Sequence, residues 1–303
     1  MESITIGLFG LGTLIFLIAI RLPIAYAMIT VGGVGIALLS GPLVVLNQLK
    51  DLAYGQFSIY DLSVVPLFVL MGAIASRIGL SADLFRAANA WLGWMRGGVA
   101  MSAIAACAGF GAVCGSSLAT ASTMGRVALP ELKRYRYSPR LATGTIAAGG
   151  VLGILIPPSV VLIIYSIIVE ANVVTMFMAA LIPGMIAVLF FILTISVYVL
   201  IWPQSGPRGE RATRQEFVAA TLNVLPVGLV FGVVIGGIYF GYFNPTPAAA
   251  VGVVMVALFG LVRGQMSLHN LREAMLETAR TSGMIYLILL GAELLKIFMS
   301  RGR

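Results

Sequence analysis

Two clusters of small, oxygen-bearing residues break stretches that otherwise carry no charge. Gly115-Ser116-Ser117 with Thr120 lies in Gly97–Gly125, and Pro157-Pro158-Ser159, preceded by Gly149-Gly150 and Ile156, lies in Leu141–Val169; each stretch is 29 residues long. Hydroxyls and unwound backbone carbonyls offer neutral oxygen ligands to a hard cation. A helix that restarts after such a break presents free N–H groups and a positive dipole end, which favour an anion such as a carboxylate. No H-E-x-x-H, no G-x-S-x-G and no aspartate pair inside an uncharged run accompanies them, so the sequence offers no set of catalytic residues. The single His269 reads as an interfacial polar residue.

The elements that must carry these clusters follow from the same residues. Gly97–Gly125 is long enough to cross the hydrocarbon core once. Its middle is poor helix, because Gly109, Gly111 and Gly115 cost backbone entropy and Ser116 and Ser117 compete for backbone groups. Arg96 precedes the stretch, and Arg126, Lys133, Arg134, Arg136 and Arg140 follow it, so a single crossing would leave basic residues on both sides. A re-entrant hairpin over about 97–129 keeps them on the cytoplasmic side. Pro130–Arg140 is then expected as a basic loop. In the second stretch two consecutive prolines remove two donors, which predicts a broken helix over about 141–169. Plainer readings exist for each part: a small-xxx-small packing face for Gly149 and Gly153, a kink for the prolines, and helix capping for the serines. Irregular backbone at membrane depth is tolerated only where protein or water covers it, and paired broken helices are the usual mark of a transporter site.

The rest of the chain supports a membrane setting. It is 60% hydrophobic and 10% charged, with a mean hydropathy of +1.04, which describes an all-α polytopic membrane protein. The net charge of +8 comes from short basic clusters between apolar runs, where it sets topology and meets anionic headgroups; nucleic acid is not an expected partner. Cys107 and Cys114, seven residues apart in one helical run, lie about 10 Å apart and cannot pair. Ile4–Ile20 and Leu22–Leu39 form a helical pair, and the start of the chain carries no basic region of the kind a cleavable signal has. Residues 41–60, with Lys50 and Asp51, suit an interfacial helix, and Leu62–Ser76 crosses again. Ser81 is expected to cap an interfacial amphipathic arm, anchored by Trp91 and Trp94, on which Leu84, Phe85, Ala88, Trp91 and Leu92 follow an apolar i, i+3, i+4 pattern while Asp83, Arg86 and Asn89 stay polar. Val174–Ile201 is a return span, 203–216 a cytoplasmic loop, and the 46 uncharged residues of Phe217–Val262 hold two more spans. Ser267–Arg280 reads as an amphipathic segment, followed by a crossing from Ser282 in which Glu293 and Lys296 can pair.

The final third resembles the start. Pro23-Ile24-Ala25 recurs as Pro247-Ala248-Ala249, offset by 224 residues, and Leu70-Met71-Gly72-Ala73 recurs as Leu289-Leu290-Gly291-Ala292, offset by 219. The basic loops give the two copies opposite orientations. The expected organisation is a first repeat over 1–202, the loop 203–216, and an inverted, incomplete second repeat over 217–303.

Gly115-Ser116-Ser117-Leu118-Ala119-Thr120-Ala121-Ser122-Thr123-Met124-Gly125-Arg126, with Leu141-Ala142-Thr143-Gly144-Thr145 and Gly149–Ser159, resembles the large membrane subunit of the TRAP transporters, the DctM-like permeases. The resemblance covers essentially the whole chain. It implies a sodium-coupled, elevator-type permease of the bacterial inner membrane. Such a permease takes a carboxylate solute, for example a C4-dicarboxylate or sialic acid, from a periplasmic binding protein and works with a small membrane subunit. Na⁺ is then the coupling ion, with Gly115, Ser116, Ser117, Thr120, Gly149, Gly150 and Ile156 as candidate ligands. Ser116, Ser117, Pro157, Pro158 and Ser159 are candidates for contact with the solute. The family pattern also implies a second hairpin and second broken helix after residue 303, so these residues are expected to hold half of a two-hairpin machine that does not transport alone. Alternatives are a stand-alone sodium–dicarboxylate symporter of related architecture and a non-transporting membrane scaffold.

Overall fold

The computed structural model describes residues 2–301, and within them thirteen α-helices and no strand are found. Five helices are long and apolar enough to span a membrane: Tyr60–Arg77, which starts as a 3₁₀ turn, Val173–Ile201, Arg214–Tyr239, Pro245–Val262 and Leu268–Arg301. Pro139–Leu155 and Val160–Ile168 form a sixth candidate bent by 46°. The chain is an all-α, multi-pass membrane protein.

Two compact units divide the described residues. The smaller comprises residues up to Leu62 together with Ala279 onward. It contains α1 (Glu2–Ala19), α2 (Ile24–Ser40), α3 (Pro42–Phe57) and the distal part of α13 (Leu268–Arg301). Its core gathers Leu14, Ala27, Val31, Ile36, Leu294 and Phe298. Small residues admit the close contacts: Phe298 occupies the space over Gly10 and Gly35, and a Cβ on Gly32 would meet the Leu294 backbone at 2.8 Å. Tyr286 of α13 donates to the Leu62 carbonyl at 3.0 Å and stacks obliquely on Phe57.

The larger unit, Ser63–Thr278, holds both interrupted stretches. Helix α4 (Val64–Arg77) packs on α12 (Pro245–Val262), and α5 (Leu80–Leu92) packs on α6 (Gly98–Cys114) and α11 (Arg214–Tyr239). Between α6 and α11 run α7 (Ser117–Arg134), α8 (Pro139–Leu155), α9 (Val160–Ile168) and α10 (Val173–Ile201). Phe68 and Phe177, both fully buried, meet edge to face at 6.4 Å.

Four sequence expectations change. Ser81 is not a cap: α5 starts after the left-handed Gly79, and Ser81 lies buried inside the helix. Asp83 does not face water, because α12 brings Arg263 to its carboxylate and buries it. The stretch Pro130–Arg140 is not a loop; α7 continues through Pro130 to Arg134, and only residues 135–138 turn. The segment after Ser267 is not separate from the last crossing, since α13 runs unbroken from Leu268 to Arg301. A shared reason covers the helix extensions: polar residues at the end of an apolar helix do not stop it unless a glycine or an N-terminal cap ends the hydrogen-bond ladder.

Contacts at the recurring motifs have a reciprocal form. In the larger unit Met71 of α4 covers Gly252 of α12, and in the smaller unit Gly291 of α13 meets Met28 Cβ at 3.0 Å from where its own Cβ would stand. The offsets of 219 and 224 map Gly72 onto Gly291 and Met28 onto Gly252, so the two contacts correspond to within one residue with glycine and methionine exchanged.

Candidate functional site

Both ends of the hairpin are fixed at one level. Gly97 N–H donates to the Gly206 carbonyl and Ser138 N–H to the Ser205 carbonyl, each at 3.0 Å, so the residue before α6 and the residue before α8 bind adjacent residues of one loop. Gly209 N–H adds a bond to the Gly93 carbonyl at 3.0 Å, and Arg96 and Arg208 form an isolated antiparallel bridge. Tyr137 locks the arrangement: its hydroxyl accepts from Val99 N–H at 3.2 Å and donates to the Pro207 carbonyl at 2.9 Å. Val99 stands in the first turn of α6, so the phenol satisfies a donor that the helix itself leaves free. Burial of that phenol pushes its pKa up to about 12. Gly97 and Ser138 therefore lie beside each other although two helices run between them, so the chain turns back between these residues.

The turn is Gly115-Ser116. Gly115 takes φ +61°, the left-handed conformation that ends α6. Ser116 is extended, and its hydroxyl accepts from Ala119 N–H at 3.4 Å to cap α7, with Ser117 as the first helical residue. The second break repeats this pattern. After α8 ends at Leu155, Ile156 and Ser159 are extended, the Pro157–Pro158 bond is cis, and the Ser159 hydroxyl accepts from Leu162 N–H at 3.4 Å to cap α9.

The two breaks touch. Val160 N–H donates to the Gly115 carbonyl at 3.2 Å, and a Cβ on Gly115 would lie 2.6 Å from the Pro158 carbonyl oxygen. The ends of α6 and α8 and the starts of α7 and α9 therefore meet at one place. There the point a Gly153 Cβ would occupy is 2.5 Å from Thr120 Oγ1 and 2.7 Å from the Ser116 carbonyl oxygen. Cys114 Sγ also lies 3.0 Å from Thr120 Oγ1. Hydroxyl, thiol and carbonyl groups thus cluster tightly among small residues, where Thr120 and Ser159 are fully buried and the side chains carry no fixed charge.

Of the predicted residues, Gly115, Ser116, Ser117, Thr120, Ile156, Pro157, Pro158 and Ser159 lie at or beside this junction. Gly149 and Gly150 lie farther back, inside unbroken α8, where they make room for neighbours: a Cβ on Gly149 would meet Cys107 Sγ at 2.7 Å, and one on Gly150 would meet Ala121 Cβ at 2.7 Å. Arg126 lies exposed on α7, more than two turns from Ser116. Sequence reasoning left Gly153 out of the candidate ligand set, although it is the residue whose missing side chain opens the space beside Thr120. Gly111 does more than weaken a helix: it allows α6 to approach α8 so closely that a Cβ there would meet Gly153 Cα at 2.7 Å. Cysteines 107 and 114 are buried and unpaired.

Residues 11–302 match the family described as the tripartite ATP-independent periplasmic transporter, DctM component. Similar proteins include the C4-dicarboxylate TRAP transporter large permease protein DctM of Pseudomonas aeruginosa, 34% identical over 84% of this chain and 61% of that protein. The ectoine TRAP transporter large permease protein TeaC of Halomonas elongata is 32% identical over 82% of this chain and 58% of its own length. The isethionate TRAP transporter permease protein DctMQ of Oleidesulfovibrio alaskensis is 28% identical over 80% of this chain and 38% of its own. In these matches the chain spans between 38% and 61% of the relative's length. With the family model covering nearly every residue, including both helix breaks and the reciprocal Gly–Met contacts, the chain belongs to the DctM component family of tripartite ATP-independent periplasmic transporters.

Proposed function

We propose that this chain is the large permease subunit of a sodium-coupled importer of a carboxylate solute in the bacterial inner membrane, acting with a small membrane subunit and a periplasmic binding protein. The observation that carries the reading is the hydrogen bond from Val160 N–H to the Gly115 carbonyl, which joins two helix breaks end to end. Two helix starts at one point favour an anionic group, and two helix ends with their carbonyls favour a cation. Thr120 Oγ1 and the Ser116 carbonyl supply neutral oxygens suited to Na⁺. The reciprocal packing of Met71 with Gly252 and of Gly291 with Met28 supports an inverted repeat, in which alternating access is motion of one part against another. Named relatives differ in solute, being permeases for C4-dicarboxylate, ectoine or isethionate, and the feature that supports an anionic group on the solute of this chain is the pair of helix starts.

A thiol-protection experiment tests the ion. Cys107 and Cys114 are buried, so Ser116→Cys, half-exposed at the tip, provides the principal reactive thiol at this site. Its alkylation by a maleimide should slow in NaCl relative to KCl at equal ionic strength, and adding Gly153→Ala should remove the difference. Equal rates in the two salts would defeat the sodium reading.

A further inference from the structure

A second cleft, of about 250 Å³, opens in the larger unit between α6, α8 and α10. Ile104, Leu141, Gly144, Ala148, Phe191 and Ile195 make its walls apolar, and Arg140 and Tyr198 stand at one end. That end adjoins the turn 135–138 and the loop after Trp202, where the basic residues collect. Tyr198 stacks on Trp202 at 4.8 Å, an aromatic pair of the kind that marks a membrane–water interface. From Arg140 the cleft follows α8 to Ala148, about 12 Å into the apolar region at 1.5 Å per residue.

Three polar groups at this cleft lack a protein partner among the described residues. Arg140 makes no ion pair or side-chain hydrogen bond, as holds for several exposed arginines, and it is the one that lines this cleft. The Tyr198 hydroxyl has no bond, and Thr145 Oγ1 is buried and unsatisfied five residues beyond Arg140 on α8. An unpaired guanidinium at the mouth of a narrow apolar cleft matches one kind of occupant, a molecule with an anionic head and an aliphatic tail. We propose that the cleft binds an anionic phospholipid, with its phosphate on Arg140 and Tyr198 and one acyl chain lying between α8 and α10. The basic side of the protein is the side on which anionic lipids concentrate in a cell membrane. The occupant is structural or regulatory and distinct from any solute at the helix breaks.

Titration of phosphatidylglycerol and of phosphatidylcholine into the purified chain in neutral detergent, read by native mass spectrometry and by melting temperature, tests the assignment. Wild type should retain one phosphatidylglycerol saturably and in preference to phosphatidylcholine. Arg140→Gln should weaken phosphatidylglycerol about five- to tenfold and erase the preference, with the lipid-free melting temperature unchanged because Arg140 is exposed and unpaired. Gly144→Leu should weaken both lipids, since a Cβ there meets nothing within 4 Å and the added side chain enters the cleft. Equal phosphatidylglycerol affinity in wild type and Arg140→Gln would overturn the proposal. So would absence of saturable lipid, as expected if a protein helix closes the cleft, or equal stabilisation by inorganic phosphate alone.

Discussion

Gly153 lacks a side chain because Thr120 Oγ1 and the Ser116 carbonyl stand where one would go, at 2.5 and 2.7 Å. Gly153→Ala must displace backbone, and we expect it to cost about 1–3 kcal/mol, read as a lowered melting temperature in detergent. Gly228→Ala in α11 is the matched control: nothing lies within 4 Å of its Cβ, so it should be neutral or stabilise by up to about 1 kcal/mol. The two serines at the tip can be told apart in the same way. Ser116 caps α7, so Ser116→Ala should lose about 1 kcal/mol of stability. The Ser117 hydroxyl makes no hydrogen bond among the described residues, so Ser117→Ala should leave the melting temperature unchanged. If that hydroxyl is a sodium ligand, the same variant weakens sodium-dependent thiol protection at Ser116→Cys; unchanged protection would remove Ser117 from the ligand set.

Elements are held together by contacts that join distant parts of the chain. Asp83 of α5 is buried and paired with Arg263 of α12, which also donates to the Asn223 carbonyl of α11 at 2.9 Å. Asp83→Ala strands a guanidinium whose side chain is 23% exposed, so the cost should fall at or below the low end of the range for breaking a buried pair, about 2–3 kcal/mol. Arg86 reaches the same carboxylate at 3.5 Å but is 71% exposed, and Arg86→Ala should cost less than about 1 kcal/mol. Comparing the two melting temperatures tests which arginine matters to the fold. The strap at the hairpin base depends on Tyr137. Tyr137→Phe leaves Val99 N–H without an acceptor, a loss of about 1–3 kcal/mol near neutral pH. Because the folded-state pKa, about 12, is raised above the ordinary 10.0, the phenol's contribution is complete below pH 10 and is lost as pH rises toward 12. The gap in stability between wild type and Tyr137→Phe should therefore shrink over that interval, and a constant gap would show that the phenol's burial differs from that described.

For the whole molecule, the strap predicts sidedness. Single cysteines replacing Arg136 and Arg208 should react with an impermeant maleimide from the same side of the membrane, and one replacing Glu170, at the turn between α9 and α10, from the other. By the positive-inside rule the expected shared side is the cytoplasm. Labelling Arg136→Cys and Arg208→Cys from opposite sides would be incompatible with a hairpin whose two ends bind Gly206 and Ser205. The sequence alone determined the membrane class, the positions of both helix breaks and the family. Each is written locally, in uncharged runs, in Gly, Ser and Pro at fixed places, and in basic flanks, because bilayer thickness and backbone hydrogen bonding act on consecutive residues. Helix ends without a glycine or cap were less legible, as the passage of α7 through Pro130 and the unbroken length of α13 illustrate. Only the tertiary structure decided that the two breaks meet at Val160 and Gly115, that Gly149 and Gly150 serve packing inside α8, and that Asp83 turns inward to Arg263. Those outcomes depend on which residues become neighbours across 29 to 180 positions of chain, and a small side chain's role is set by what approaches it.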